Sequence, residues 1–162
     1  MAARRRVGLV YAAIAVALLA VVASIVTVFF GAPSPRADPA NAEQVALGKK
    51  VYAQHCASCH GAQLEGQPGW REKLASGRMP APAHDASGHT WHHPDEVLFG
   101  ITKYGVVPGR YAPLGYQSDM PGFAGALSDD ETWAVVAFIK ASWPGEIRNA
   151  QADLDRRHAA RR

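Results

Sequence analysis

The longest apolar run in the chain lies at residues 7–30, which carry no charged side chain. As a helix this run would be about 36 Å long, at about 1.5 Å per residue, whereas the apolar core of a bilayer is about 30 Å thick. Arg4, Arg5 and Arg6 precede it, and a basic flank stays on the cytoplasmic side. We therefore predict a cytoplasmic flank at residues 1–6 and a transmembrane anchor at residues 7–30.

A cleaved signal peptide is the alternative to a retained anchor. The apolar region of a signal peptide is usually about 7 to 15 residues long and ends at small residues. The run here is longer and closes on Val28, Phe29 and Phe30, although Gly31 and Ala32 follow. The length favours a retained anchor, and cleavage stays open as the second interpretation.

Beyond the apolar run, the pattern changes to a linker and then to a helix. Residues 31–40 contain three prolines among small residues and show no apolar period, which is typical of an extended linker. Asn41 then stands three residues before Gln44, as an N-cap does. Val45, Gly48, Val51 and Tyr52 recur at helical spacing after it, so one face of this helix is predicted to be buried.

Two further helices are predicted in the second half of the chain. The first is signalled by Pro94 with acidic residues after it, and Gly105 is predicted to end it. The second begins with a capping box formed by Ser128 and Glu131 and ends before Pro144. No segment alternates like a strand, so residues 41–145 are predicted to form an all-α domain, with a polar tail at residues 146–162 that is a short helix or disordered.

The net positive charge of the chain comes from the three arginines near its start. The formal net charge is +3 and the pI is about 9.0, but residues 33–162 contain 14 basic and 14 acidic side chains. The exported part is therefore neutral, and its charge predicts no nucleic-acid partner. Both cysteines lie in one short stretch, so no disulfide supports a domain of about 100 residues, and a bound group must contribute to its core.

The stretch Cys56-Ala57-Ser58-Cys59-His60 carries the candidate chemistry. Two cysteines three apart with a histidine directly after them are typical of c-type haem attachment: Cys56 and Cys59 would form thioethers and His60 would be an axial iron ligand. A redox dithiol and a zinc site completed by histidines from the segment 89–93 are the alternatives. Export and the long separation in sequence argue against both.

The order of these features resembles a class I cytochrome c over about residues 40–143. The most specific parts are the stretch at 56–61 and Met120-Pro121-x-Phe123, followed by the capping box. The resemblance implies a class I cytochrome c fold, with helices packed around one covalent haem c, after the N-terminal transmembrane helix. It also implies an electron carrier with no catalytic residues.

The resemblance also implies roles for individual residues. Met120 would be the sixth ligand of the iron, whereas Met79 is interpreted as a packing residue. The backbone carbonyl of Pro68 would accept a hydrogen bond from Nδ1 of His60.

The resemblance further implies that the first and last helices cross closely. Gly48 of the first helix would meet an aromatic residue of the last, for which Trp133 is the candidate and Ala137 the alternative.

The segment 84–93 is unusually rich in histidine for a small cytochrome. His89, His92 and His93 could bind copper or zinc, which imidazoles favour. They could instead contact haem propionates and backbone, and this second interpretation is favoured.

Together these features predict a membrane-tethered mono-haem c-type cytochrome with its N-terminus inside. It would transfer single electrons on the periplasmic face of the bacterial cytoplasmic membrane. The predicted partners are membrane complexes, namely a quinol–cytochrome c reductase, a terminal oxidase or a dehydrogenase, with no nucleic acid and no small-molecule substrate. The alternatives are a haem subunit of a larger oxidoreductase or oxidase complex, and a copper-binding or sensing cytochrome that uses the segment 84–93.

Overall fold

The computed structural model of the protein describes residues 14, 16–19 and 36–161. The chain divides into two units, Met1–Pro35 and Arg36–Arg162. The flank predicted at 1–6 and most of the anchor predicted at 7–30 lie outside the described residues. Within the described ranges, no helix is long and apolar enough to cross a membrane. The anchor therefore stays a prediction.

The second unit is built from helices joined by long loops. We label them α1 (Ala42–His55), α2 (Ala57–His60), α3 (Asp95–Tyr104), α4 (Asp129–Ala141) and α5 (Gly145–Ala159), with a 3₁₀ turn at Thr90–His92 before α3. Over residues 36–161, extended pairing is limited to two isolated bridges, Met79 with Ser118 and Pro108 with Ala112. The all-α prediction is confirmed for this unit.

The helix starts follow the capping residues. The Asn41 side chain accepts a hydrogen bond from the backbone N–H of Gln44 at 3.0 Å, and Ser128 and Glu131 form a complete capping box. Both predicted starts are confirmed. The helix α3 begins one residue later than predicted, because Pro94 is its N-cap and lies in an extended conformation.

The helices α1 and α4 cross at Gly48. A Cβ atom on Gly48 would overlap the carbonyl oxygen of Ala134 and would lie 2.9 Å from Cβ of Phe138. The predicted partner Trp133 is therefore wrong by one position: its ring stacks on Phe99 of α3, with centroids 4.2 Å apart. Backbone meets backbone at the crossing, so the small residue of α4 lies there and the aromatic one beside it faces α3.

The core of the second unit lies around this crossing. Most of α4 is buried, which is consistent with its position between α1 and α3. The buried apolar side chains are Val51, Tyr52, Leu64, Leu98, Leu127, Trp133, Val135, Val136, Ile139 and Trp143.

Of residues 146–162, predicted as a polar tail, those at 146–161 are described; they are mostly helical and pack against the rest of the domain. Gln151 of α5 is fully buried, and its Nε2 donates to Oδ1 of Asp95 at 2.8 Å and to the carbonyl of His93 at 3.3 Å. The carboxylate of Asp155 accepts the N–H of Asp95 at 2.9 Å. Because Pro94 offers no side-chain cap, α5 supplies the cap of α3 from a distant part of the chain.

A buried ion pair connects α3 to α4 at the same Asp95 carboxylate. Nζ of Lys140 in α4 lies 2.8 and 2.7 Å from the two carboxylate oxygens of Asp95, and both side chains are 7% exposed. Burial raises the pKa of Asp95, while the ammonium group of Lys140 opposes this rise. Such a pair contributes mainly to a unique arrangement of its elements, since desolvation offsets much of the attraction.

The crossing at Gly48 generates a first prediction. Helix propensity alone would make Gly48→Ala stabilising by about 1 kcal/mol. Because the added Cβ would overlap the Ala134 carbonyl, we expect the free energy of unfolding to fall by about 2 to 3 kcal/mol instead. Guanidinium unfolding of the haem-containing protein measures it.

The matched control is Gly125→Ala, because nothing lies within 4 Å of a Cβ at that position. It should change the free energy of unfolding by no more than about 0.5 kcal/mol. Equal effects of the two substitutions would contradict the close crossing.

The docking of α5 generates a second prediction. Gln151→Leu keeps a side chain of similar size but removes the donor to the buried carboxylate of Asp95. We expect a loss of about 2 kcal/mol in the free energy of unfolding, the usual range for a hydrogen bond to a charged group. Asn149→Leu on the exposed side of α5 is the control, and a Gln151→Leu variant as stable as this control would show that α5 does not depend on the contact.

Candidate functional site

The Cys-x-x-Cys-His stretch lies on a helical turn that continues α1. The N–H of Cys56 donates to the carbonyl of Tyr52 at 2.9 Å, and α2 follows from Ala57 to His60. Cys56 is half-buried and Cys59 is exposed, and no disulfide joins them. Both sulfurs and the imidazole of His60 are thus carried by one turn at the end of the helix that crosses α4.

Gly61 ends this turn. Its φ is +81°, in the region that favours glycine, and a Cβ there would overlap the side chain of Glu65. Its carbonyl accepts the hydroxyl of Tyr52 at 2.9 Å. Tyr52 is buried, and its pKa is raised by burial, so it acts as a neutral donor that ties the end of the motif to α1.

The imidazole of His60 is buried and has a defined tautomer. Its Nδ1 lies 2.9 Å from the carbonyl oxygen of Pro82. Because a carbonyl only accepts, Nδ1 carries the hydrogen and Nε2 keeps its lone pair. Burial lowers the pKa of His60, and the bond to Pro82 opposes this only in part. The ring is therefore neutral at pH 7, which is the form that binds a metal.

The acceptor for His60 is Pro82, and the prediction of Pro68 is wrong. Pro68 is exposed. The chain returns because Gln67 and Ala81 exchange two hydrogen bonds of 2.9 and 2.8 Å, which places Pro82 against the ring. The two prolines around Ala81 are the only local sequence signal for this acceptor. His60 and Pro82 are 22 residues apart in the chain, and only the loop conformation brings them together.

The environment of the two thiols disfavours the dithiol alternative. Burial, and then the neighbouring Cys59, raise the pKa of Cys56 to about 11. A redox-active cysteine needs a lowered pKa, because the thiolate is the reactive species. The arrangement instead fits two cysteines placed on one turn to carry a covalent group.

The histidines of the segment 84–93 face aromatic rings. The ring of His92 lies 3.6 Å from that of Trp91, and His89 lies between Trp70 at 5.7 Å and His93 at 5.5 Å. Burial lowers the pKa of His89 and of His93, and neighbouring imidazoles add to the effect. The lowered pKa values favour the neutral form of His89 and His93.

No copper or zinc site follows from these positions. Across residues 14, 16–19 and 36–161, no three His, Cys, Asp or Glu side chains are arranged to hold a metal ion. Each of the three imidazoles instead contacts another ring: His92 that of Trp91, and His89 those of Trp70 and His93. The Cys₂His₂ zinc alternative fails on the same observation.

The loops bring Met79 and Met120 into neighbouring segments. Met79 forms a bridge with Ser118, and its N–H donates to the carbonyl of Gln117 at 3.2 Å. Met120 is half-buried, and its N–H donates to Oγ of Ser118 at 3.1 Å. From the sequence, Met79 is interpreted as a packing residue, and no prediction is made of its position relative to Met120. The bridge to Ser118 shows that tertiary pairing, rather than distance along the chain, decides which residues are neighbours.

Comparison with known families now adds the remaining evidence. A family model described as Cytochrome c matches residues 45–143, which include the attachment motif, His60 and Met120. The chain belongs to the cytochrome c family. This cytochrome is thus a haem-containing electron carrier rather than a catalytic enzyme, and it binds haem c covalently, with Cys56 and Cys59 fitting the attachment site. The helix α5 lies beyond the matched residues.

The residues present fit this cofactor on physical grounds. Nε2 of His60 is free to bind iron because Nδ1 is already engaged with Pro82. Cys56 and Cys59 lie on the same turn, and Cys56 is half-buried whereas Cys59 is exposed. When bound, the haem supplies a one-electron redox couple, and these three side chains would hold it.

The two methionines generate a third prediction. We expect Met120→Ala to abolish the thioether-to-iron charge-transfer absorption of the ferric protein and to lower its reduction potential, because thioether ligation stabilises ferrous haem. Optical spectra and a redox titration measure both. Met79→Ala is the control and should keep the absorption band. Loss of the absorption band in Met79→Ala but not in Met120→Ala would instead identify Met79 as the sixth ligand of the iron.

Proposed function

We propose that this cytochrome is a mono-haem carrier tethered to the periplasmic face of the bacterial cytoplasmic membrane, where it passes single electrons between respiratory complexes. The observation that carries the proposal is the state of His60. Its Nδ1 is held by the Pro82 carbonyl at 2.9 Å, and its Nε2 remains to bind iron. A ligand held in this way keeps its orientation when the charge of the iron changes.

The surroundings of the site support electron carriage without substrate chemistry. His60 is 6% exposed, and Leu64 and Tyr52 are buried close to it in the chain. Met120 is proposed to occupy the sixth position, which leaves no open site for a substrate or for oxygen. The residues of the chain then hold the iron ligands and keep water away.

The tether is supported by the first unit. Residues 7–30 carry no charge and follow three arginines. The described residues of this run are helical, and Ile14 and Leu19 are 50% and 69% exposed. Apolar surface of this kind costs about 25 cal/mol per Å² in water, and a bilayer would remove that cost. The linker prediction is wrong for residues 36–40, because Ala37 is fully buried in the core of the haem domain. Residues 31–35, which lie outside the described residues, would then space the domain from the membrane.

The proposed partners are membrane-embedded redox complexes: a quinol–cytochrome c reductase, a terminal oxidase or a dehydrogenase. Residues 33–162 contain equal numbers of basic and acidic side chains, so long-range attraction to a charged partner is weak. A tether compensates for this, because it raises the effective concentration of the carrier near partners in the same membrane.

Fractionation of the full chain, produced with haem c attached, tests the tether. We expect the haem-staining protein to remain in the membrane pellet after an alkaline carbonate wash, to be released by detergent, and to keep its original N-terminus. A haem-stained protein in the soluble fraction with a new N-terminus near residue 31 would show a cleaved signal peptide instead.

The matched control is the double variant Val28→Ala with Phe30→Ala. It supplies small residues at both positions that a signal peptidase requires, while the haem domain stays unchanged. This variant should appear in the soluble fraction with an unchanged optical spectrum. The appearance of both proteins in the soluble fraction would contradict a retained anchor.

A further inference from the structure

The ring of His84 lies against the ring of His60. The two ring centroids are 4.1 Å apart and the planes are inclined by 22°, so the imidazoles are stacked. His84 follows the acceptor Pro82 by two residues, and the same loop therefore contacts both the edge and the face of His60. Neither the motif nor the position of His84 in the histidine-rich segment indicates this contact.

The ring of His84 is itself held by a second hydrogen bond. Its Nδ1 lies 2.8 Å from Oγ1 of Thr90. The Thr90 hydroxyl donates to the carbonyl of Ala83 at 3.4 Å, so its oxygen is left to accept the hydrogen of Nδ1. Thr90 is 6% exposed, and a partner buried to this extent has little freedom to move.

The backbone of His84 is fixed on both sides as well. Its N–H donates to the carbonyl of Leu64 at 2.7 Å, and its carbonyl accepts the indole N–H of Trp143 at 2.8 Å. Trp143 is 1% exposed and lies directly after α4. His84 is thus held in place by hydrogen bonds from three different parts of the domain.

We propose that His84 is a positioning residue that sets the plane of the axial imidazole of His60. The bond from Nδ1 to Pro82 fixes one point of the His60 ring but leaves rotation about the line through that bond. A flat ring packed on its face removes this rotation. The proposal rests on the assignment of His60 as an axial ligand.

The orientation of the imidazole plane has an electronic consequence. The π orbitals of an axial imidazole overlap with those iron d orbitals that lie perpendicular to the ring, so the ring plane selects which d orbital is raised in energy. The g-values of the ferric protein in electron paramagnetic resonance, and the order of its haem methyl resonances in NMR, report this selection directly. Simple space filling by His84 would affect neither.

The test compares His84→Phe with His84→Leu. Phenylalanine keeps a flat ring in the stack, whereas leucine fills a similar volume without a flat face. We expect His84→Phe to retain the g-values and methyl order of the unsubstituted protein, and His84→Leu to shift both. His158→Leu, which changes an imidazole of α5 outside the matched residues 45–143, should leave both unchanged. A His84→Leu variant with unshifted g-values and methyl order would overturn the proposal.

A second variant keeps the test decisive if His84→Leu does not fold. Thr90→Val removes the acceptor for Nδ1 of His84 but leaves both rings in place, and we expect a smaller shift of the g-values in the same direction. Unshifted g-values in this variant would also count against the proposal. The NMR spectrum of the unsubstituted protein tests the assignment of His60 separately from the role of His84. If that spectrum lacks the shifted ring protons of an iron-bound imidazole, the assignment of His60 as an axial ligand is wrong.

Discussion

The close crossing of α1 and α4 at Gly48 is the constraint on which the rest of the domain depends. It allows the two backbones to approach, and it fixes the direction in which α1 delivers Cys56, Cys59 and His60. The helix α4 in turn supplies most of the buried apolar surface, and Trp133 extends this surface to α3. The haem-attachment turn is therefore placed by packing between helices, and only then by its own hydrogen bonds to Tyr52 and Pro82.

A second level of organisation lies in the loops. With no disulfide among the described residues, the long segment between α2 and α3 is held by backbone hydrogen bonds, such as those between Gln67 and Ala81. These bonds bring Pro82 and His84 to the edge and face of His60. The imidazole thus has two contacts from one loop, and that loop is fixed by Trp143 from the end of α4. The ligand, at the end of the short helix α2, is thus connected to the core through a loop as well as through its own helix.

The helix α5 shows how polar residues can dock an element as firmly as apolar ones. Its contacts to α3 are made by Gln151 and Asp155, which converge on Asp95 together with Lys140. Each of these groups would be costly to bury alone, and their mutual hydrogen bonds offset that cost. Because hydrogen bonds and ion pairs need a defined geometry, this cluster selects one arrangement of the three helices.

The sequence by itself determined the elements whose signals are local. The capping residues Asn41, Ser128 and Glu131, the attachment stretch at 56–60 and the absence of strand periodicity all act within a few residues, and each was predicted. Tertiary structure decided the acceptor of His60, the partner of Gly48, the order in residues 145–159 and the nearness of Met79 to Met120. These depend on the paths of loops and on polar contacts between distant residues. Many residues could satisfy such contacts equally well, so no local pattern marks the ones that do.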